Sequence, residues 1–437
     1  MSPDRYDVVV AGAGIAGLSL AALLAADGRY SVLLVEKDGP GGRFAVTPRD
    51  GYRVDFGVHA CLLGGRGAVP RVLRRCGVPL AVEPAGAALY HNGRLVPFLG
   101  RGLSSIARQR ALGSIELSKL GLEAVRSGDR TCDTSIDRWV KDRGASPRVE
   151  RLLRSLSVAL LPSDRFDRAS AGEVLGFLKS AMLHWSAMGY PRGGWGAVLD
   201  ALTAVIEGAP RCRIRLGSAL ERVLATGGRV RGAVIGGEEV AARAVVLAFP
   251  PQEPASSVVF EPALDRDYLQ SLAALEGAYG VFVDMGLASP LSDERRLVIA
   301  LDPSALLWLV SNVSPEVAPP GRQLLQLFSP VRKSESFDAE FVRRRAAELI
   351  GLAGEVFGSE PGEEWRRVSS GLITSVVPFT DQSRPHRPGI EVPGVEGAFL
   401  IGDGVRIHGL GGDMAARSAL EAVGLLESYL ATAGGPT

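Results

Sequence analysis

The residues with the most chemical content stand near the start of the chain. Gly12-Ala13-Gly14-Ile15-Ala16-Gly17 is a G-x-G-x-x-G run, and Glu36 follows Gly17 by 19 residues. Each residue type has a task at that spacing. Gly12 permits a tight turn, Gly14 lets backbone approach a pyrophosphate, and Gly17 lets a helix pack closely on a strand. Ile15 and Ala16 open a helix whose free N–H groups and partial positive charge suit phosphate. Glu36 would accept hydrogen bonds from an adenosine ribose and repel a 2′-phosphate, which disfavours NADP; Lys37 sits beside it. A second glycine-rich loop follows, Gly41-Gly42-Arg43, whose guanidinium suits a pyrophosphate. Next comes Asp55-Phe56-Gly57-Val58-His59.

These residues need elements to hold them. Tyr6–Ala11 reads as a short buried strand, and a helical pattern then runs through Ala26 to a C-capping Gly28. Ser31–Val35 reads as a second apolar strand. This strand–turn–helix–strand–Glu context separates a dinucleotide site from a glycine-rich turn in an unrelated α/β unit. A nicotinamide domain would continue with a helix and a third strand. Here a second glycine-rich loop with an arginine stands instead.

On these motifs the chain resembles the FAD-dependent amine oxidase and phytoene desaturase superfamily, which has a Glu, a short spacer, Gly-Gly-Arg and then D-x-G near the flavin. The resemblance continues at the other end. Gly397–Asp403 (GAFLIGD) reads as a strand ending in Gly402-Asp403, followed by Gly409, Gly411, Gly412, Asp413 and a helix over Met414–Leu430. The resemblance places Asp403 at the ribityl–phosphate part of FAD. It aims the helix start at Gly412, Asp413 and Met414 toward the flavin pyrimidine, where a helix N-terminus stabilises negative charge. In the middle, Tyr190-Pro191-Arg192-Gly193-Gly194 and the helix Trp195–Glu207 are similar to a P-x-G-G loop of the family. Strands are expected over Arg213–Leu216, Ala219–Ala225 and Arg229–Ile235, and over Ala244–Pro250 returning to the nucleotide domain. Leu220 falls where the family's backbone touches adenine. The implied cofactor is FAD, bound non-covalently, since no cysteine lies near Asp403.

The expected fold is α/β: a Rossmann-like FAD-binding domain of the glutathione reductase type, interleaved with an α+β substrate domain that has a mixed sheet and a helical part. Flavin-domain pieces are expected at 1–65, 190–250 and 365–437. Residues 66–189 read as a mainly helical substrate or lid region, with helices over Pro70–Cys76, Leu103–Arg126, Ser135–Lys141, Arg148–Leu161 and Ala171–Ser186. Residues 251–364 read as a sheet-containing substrate domain, with strands over Ala278–Gly286, Arg296–Leu301, Leu306–Asn312 and Gln323–Phe328, then a helix over Phe337–Val356.

Composition narrows the partners. The chain has 437 residues, 49 Lys+Arg against 48 Asp+Glu, and a formal net charge of +1, so no basic excess points to nucleic acid. A 46% hydrophobic share excludes a disordered chain. Cys61, Cys76, Cys132 and Cys212 are too widely spaced for a zinc motif or a disulfide framework, so reduced thiols, a cytoplasmic location and no metal are expected. No apolar run is long enough to span a membrane; peripheral contact stays open.

The resemblance implies hydride transfer between flavin N5 and a largely apolar, isoprenoid- or polyene-like small-molecule substrate, by a desaturase, dehydrogenase or saturase. Alternatives on the same fold are an amine or amino-acid oxidase and a non-catalytic flavin- or lipid-binding protein. The electron acceptor stays open between oxygen and a quinone. Two departures from the family bear on substrate. His408-Gly409-Leu410-Gly411-Gly412-Asp413 replaces the His-Pro-Gly string of many carotenoid desaturases. None of the five lysines (37, 119, 141, 179 and 333) matches the lysine that amine oxidases place near N5. Candidate acid–base groups are His59, beside the D-x-G, and His408, in the last motif. Tyr190, Trp185 and Trp308 are candidate walls of the substrate cavity, and Tyr190 and Trp308 stand with the two histidines as candidate residues of the catalytic site.

Overall fold

A computed structural model describes residues 5–99, 114–126, 128–184, 188–253 and 258–432. The first strand, Arg5–Ala11, is buried along its apolar run and lies between two parallel neighbours, Val32–Glu36 and Glu238–Leu247. A strand covered on both faces reads as a continuous apolar stretch, and VVVA does so. Around this core an eight-stranded sheet runs Cys212–Leu216, Val32–Glu36, Arg5–Ala11, Glu238–Leu247, Arg229–Ile235, Leu220–Thr226 and Val259–Glu261, with Ala398–Leu400 also pairing to Glu238–Leu247. Helix Ile15–Asp27 ends at Gly28, whose N–H donates to the Leu24 carbonyl. Helices Gly194–Gly208 and Gly411–Thr432 both pack on it.

The third strand of the nucleotide unit is Cys212–Leu216, parallel to Val32–Glu36. It arrives only after the whole helical region has been inserted, which is why the local sequence after Glu36 shows no third strand. Strand Glu238–Leu247 begins six residues before the expected Ala244. Its first half, Glu238–Ala242, is the outer arm of an antiparallel meander with Arg229–Ile235, and its charged residues face solvent.

The second sheet has seven strands: Glu363–Thr374, Ala278–Leu287, Gln323–Val331, Ser304–Leu309, Leu297–Leu301, Ala87–His91 and Arg94–Leu99. Its two faces follow the two-residue period of a strand. Val281, Val283, Met285 and Leu287 pack under helix Ala339–Phe357, against Leu349, Leu352 and Ala353. Phe282, Phe328, Trp308 and Leu306 point the other way and join the main core.

Two assignments differ from expectation. Residues 66–189 hold helices Ala68–Arg75, Ser114–Arg126, Ile136–Asp142, Pro147–Leu160 and Ala171–His184, but they also give the second sheet its last two strands. Asn92-Gly93 turns that hairpin with both residues at positive φ, the arrangement Asn-Gly favours. Strand Glu363–Thr374 is the edge of the second sheet, paired with Ala278–Leu287, and not part of the nucleotide sheet. The expected helix start over 103–113 lies outside the described residues.

Candidate active site

The nucleotide end is built from backbone. Gly12 turns at φ 107°, and a Cβ there would stand 2.7 Å from the Ala248 carbonyl oxygen. A Cβ at Gly17 would stand 1.9 Å from the Gly12 oxygen, so helix and turn are in contact. At Gly14 a Cβ would meet nothing within 4 Å. Gly14 instead faces a cavity of about 1320 Å³, lined also by Gly12, Ile15, Ala16, Glu36, Lys37, Gly42, Arg43, Leu220, Gly402 and Asp403. The second glycine-rich loop docks on the first through a Gly41 N–H to Ala13 carbonyl bond of 2.8 Å. Glu36 closes the far end, where its carboxylate accepts the N–H groups of Ala13 at 2.8 Å and Asp38 at 3.0 Å.

At the other end stands a buried ion pair. Arg43 Nη1 and Nη2 donate to the two oxygens of Asp403 at 2.6 and 2.8 Å. Asp403 also accepts from Thr374 Oγ1 at 2.7 Å and from the Ser375 N–H at 3.0 Å. Although burial alone would raise it, the Arg43 charge and these donors hold the Asp403 carboxyl well below the usual carboxylate range. Arg43 and Asp403 line the large cavity and a second, narrower one of about 90 Å³. They therefore stand at the junction of the two.

The second cavity is walled mostly by aliphatic groups, among them Val58, Leu62, Leu160, Leu297, Leu306 and Ile373. His59 lines it with its ring stacked on Phe44, centroids 4.1 Å apart. Its Nε2–H donates to the Arg43 carbonyl at 2.9 Å. Burial pushes its pKa down to about 4, so the ring is neutral at physiological pH. Gly411, Gly412 and Met414 bring the start of helix Gly411–Thr432 to the same cavity.

Several expected site residues lie off both cavities. Tyr190 is fully buried and donates to the Asp55 carboxylate, with Trp308 edge-on to its ring at 5.3 Å. Trp308 is itself fully buried, its indole N–H on the Arg295 carbonyl. Both are core groups, not cavity walls. His408 is exposed and lines neither cavity. Asp413 points back to the N–H of Ala68, at the start of helix Ala68–Arg75. Gly17 and Gly57 serve close packing; a Cβ at Gly57 would stand 2.9 Å from the Phe282 ring. Trp185 lies outside the described residues.

The structure also shows groups that spacing could not show. Arg387 is fully buried between the Gln382 carbonyl and Met414 Sδ, 3.1 and 3.1 Å away. Asp55 and Asp284 are both buried, and Gln326 and Arg367 each donate to the Asp284 carboxylate and to the Asp55 backbone carbonyl. Desolvation pushes the Asp55 pKa up to about 7. The D-x-G motif marks Asp55 in the sequence, whereas Asp284 is marked only as an Asp inside an apolar strand.

The large cavity fits FAD on its own features. Open space above Gly14 and Gly402 is where a Cβ would otherwise fill the cradle. The helix start at Ile15 and Ala16 faces that space, and the Glu36 carboxylate stands at one end. Among the described residues, no cysteine lines either cavity and no cluster of His, Cys, Asp or Glu could hold a metal.

Comparison with known proteins agrees with this geometry. The sequence model of flavin-containing amine oxidoreductases matches residues 15–426. The chain is 26% identical to a phytoene dehydrogenase of Streptomyces griseus over 477 aligned positions, covering 91% of this chain and 90% of the relative. An oxidoreductase from Methanosarcina mazei superposes with a TM-score of 0.79 at 19% identity, covering 96% of this chain and 100% of that one. Cyclohexylamine oxidase from Brevibacterium oxydans superposes with a TM-score of 0.70 at 17% identity, covering 98% and 100%.

Proposed function

The chain belongs to the family of flavin-containing amine oxidoreductases, and from that premise we propose that it forms or saturates a carbon–carbon double bond in a largely apolar, isoprenoid- or polyene-like small molecule. That it is an FAD-dependent oxidoreductase follows from the family. Bound FAD supplies the two-electron chemistry, as hydride acceptor or donor at N5. Gly12, Gly14, Ile15, Ala16, Glu36, Lys37, Gly42, Leu220 and Gly402 would hold it along the large cavity. Arg43, Asp403, Gly412 and Met414 would hold it where the two cavities meet.

The observation that carries the substrate class is the lining of the second cavity. Its charged side chains are Arg43 and Asp403, and these neutralise each other. An ammonium or an amino-acid carboxylate would find no free counter-charge there. The segment of an apolar substrate that enters this narrow cavity would give up no hydrogen bonds to water and would gain contact with Val58, Leu62, Leu160, Leu306 and Ile373. Aliphatic walls also keep water from the reacting carbon. His59, neutral and tied to the Arg43 carbonyl, shapes this wall and does not exchange protons near pH 7. Hydride chemistry on a hydrocarbon asks little more of the protein than orientation and dryness. The four cysteines are free, which supports a reducing compartment such as the cytoplasm.

The test is anaerobic. Purified protein carrying its flavin is mixed with a partly saturated isoprenoid, with primary amines or with α-amino acids, and loss of the oxidised-flavin absorbance is followed. Bleaching by the isoprenoid alone supports the reading. Bleaching by amines, with peroxide on readmitting air, makes the protein an amine oxidase. A flavin that no compound in the panel reduces, and that reduced nicotinamide does not convert for transfer to a polyene, points to a carrier.

A further inference from the structure

Helices Ser114–Arg126 and Ala171–His184 pack against each other on the outside of the helical region. They cross closely: a Cβ on Gly121 would stand 3.5 Å from Met182 Sδ, and Lys179 Nζ donates to the Val125 carbonyl at 3.3 Å. At this crossing four large apolar side chains face solvent, Leu122 (49% exposed), Val125 (54%), Met182 (37%) and Leu183 (66%). Among the described residues four of the nine large apolar side chains that are exposed gather here, and contiguous apolar surface of this kind marks an interaction site.

The exposed charges on the two helices are basic. Lys119 and Arg126 are exposed on the first helix, and Lys179 lies on the second. Arg66 joins them, its Nη1 donating to the His184 carbonyl at 2.6 Å. The nearby carboxylates are engaged: Glu116 with Ser146, Glu123 with Arg143 at 2.9 Å, and Glu173 is buried. An apolar centre with a cationic rim matches a bilayer bearing anionic headgroups, whose acyl boundary takes the former and whose phosphates take the latter. A protein partner would more often present mixed charge. The face also lies one helix away from the apolar cavity. Helix Ala171–His184 packs on Pro147–Leu160, and Ala159 and Leu160 of that helix line the cavity.

We propose that this face, centred on Leu122, Val125, Met182 and Leu183 and rimmed by Arg66, Lys119, Arg126 and Lys179, docks the protein on an anionic lipid bilayer. The attachment is peripheral, since among the described residues no helix is long and apolar enough to cross a membrane. The surface stands on its own observations and survives a change of substrate assignment.

The experiment is co-sedimentation of the flavin-loaded protein with vesicles of phosphatidylcholine alone or mixed with phosphatidylglycerol. The expected result is binding to the mixed vesicles that weakens as salt rises. Leu122→Asp with Leu183→Asp should lower the partition coefficient roughly tenfold or more. Lys119→Glu with Lys179→Glu should lower it roughly five-fold or more per site. Neither pair lines either of the two cavities described above, so the flavin-to-protein absorbance ratio should not change. If the Asp pair fails to fold, Leu122→Gln with Leu183→Gln repeats the test at lower cost. Equal partition onto neutral and anionic vesicles, no partition at all, or variants that bind like the parent would overturn the proposal. So would a dimer that the Asp pair converts to monomer while no vesicle captures the parent, which would make the occupant a second copy.

Discussion

Replacing Asp403 with Asn tests whether the junction of the two cavities is held by charge. Asp403 Oδ2 accepts from Arg43 Nη1, Thr374 Oγ1 and the Ser375 N–H, and Oδ1 accepts from Arg43 Nη2. An amide can keep its oxygen on the three donors at one side. Its NH2 then faces Arg43 Nη2, donor against donor. The Arg43 side chain is 28% exposed and that of Asp403 is 5% exposed. Removing one partner of a fully buried pair costs ~3–5 kcal/mol. Water reaches the Arg43 edge, so ~2–4 kcal/mol is expected here. Arg43→Met leaves the less exposed charge, Asp403, with Thr374 and Ser375 alone and should cost at least as much as Asp403→Asn.

The assay is urea unfolding of flavin-free protein, which removes the stabilisation that ligand binding would add. It is run as a double-mutant cycle with both single variants and the pair. The pair should be less destabilised than the sum by ~2–3 kcal/mol. The pH dependence has a definite sign. Asp403 is depressed in the folded state, so its contribution is complete above the unfolded carboxylate pKa near ~3.9 and is lost only as pH falls through the lower folded value. The cycle should therefore give the same coupling at about pH 6 and pH 8. Additivity of the single variants to within ~0.5 kcal/mol would refute the reasoning, because the bidentate contact would then carry no net energy.

Other outcomes follow from the same geometry. Gly14→Val points its side chain into open cavity space, so unfolding of the flavin-free protein should shift by less than ~1 kcal/mol while flavin content falls sharply. Gly17→Ala sets a methyl 1.9 Å from the Gly12 oxygen and should instead destabilise the apoprotein itself, by roughly 2 kcal/mol or more in the same measurement. His59→Gln should leave the shape of the pH profile for flavin reduction unchanged between about pH 6 and 8, since the ring is already neutral there; a limb that disappears with the histidine would contradict this. Asp55, pushed up to about 7, favours its protonated form on folding, so its contribution is whole below the unfolded pKa and is lost as pH rises toward 7. Asp55→Asn should flatten stability across that window and gain ~2–4 kcal/mol over wild type near about pH 8, measured by urea midpoints at both ends.

The nucleotide half was legible because its residues act locally. Gly12, Gly14 and Gly17 work through backbone shape within one turn and one helix, and Glu36 stands at the end of the next strand. Such short-range constraints leave a spacing in the chain. The turn at Asn92-Gly93 is just as local, yet its two strands fall in a region read from the sequence as mainly helical. Strand Glu363–Thr374 gave no sign of which sheet it would join, because edge pairing with Ala278–Leu287 is decided by partners more than 70 residues away.

Chemistry at the flavin end is a different case. Residue type makes His59 a candidate acid–base group and Tyr190 a candidate cavity wall. Burial settles them differently: one ring is neutral against a carbonyl in a cavity wall, and the other lies in the core on Asp55. Arg43 and Asp403 were each marked by a motif, yet their pairing spans 360 residues. The sequence alone determined the cofactor class and marked the glycines that line the large cavity, since backbone geometry is written in glycine spacing. Only the tertiary structure decided which charges meet, which are desolvated and which walls stay apolar. Those properties depend on distance and water exclusion between segments that the chain brings together last.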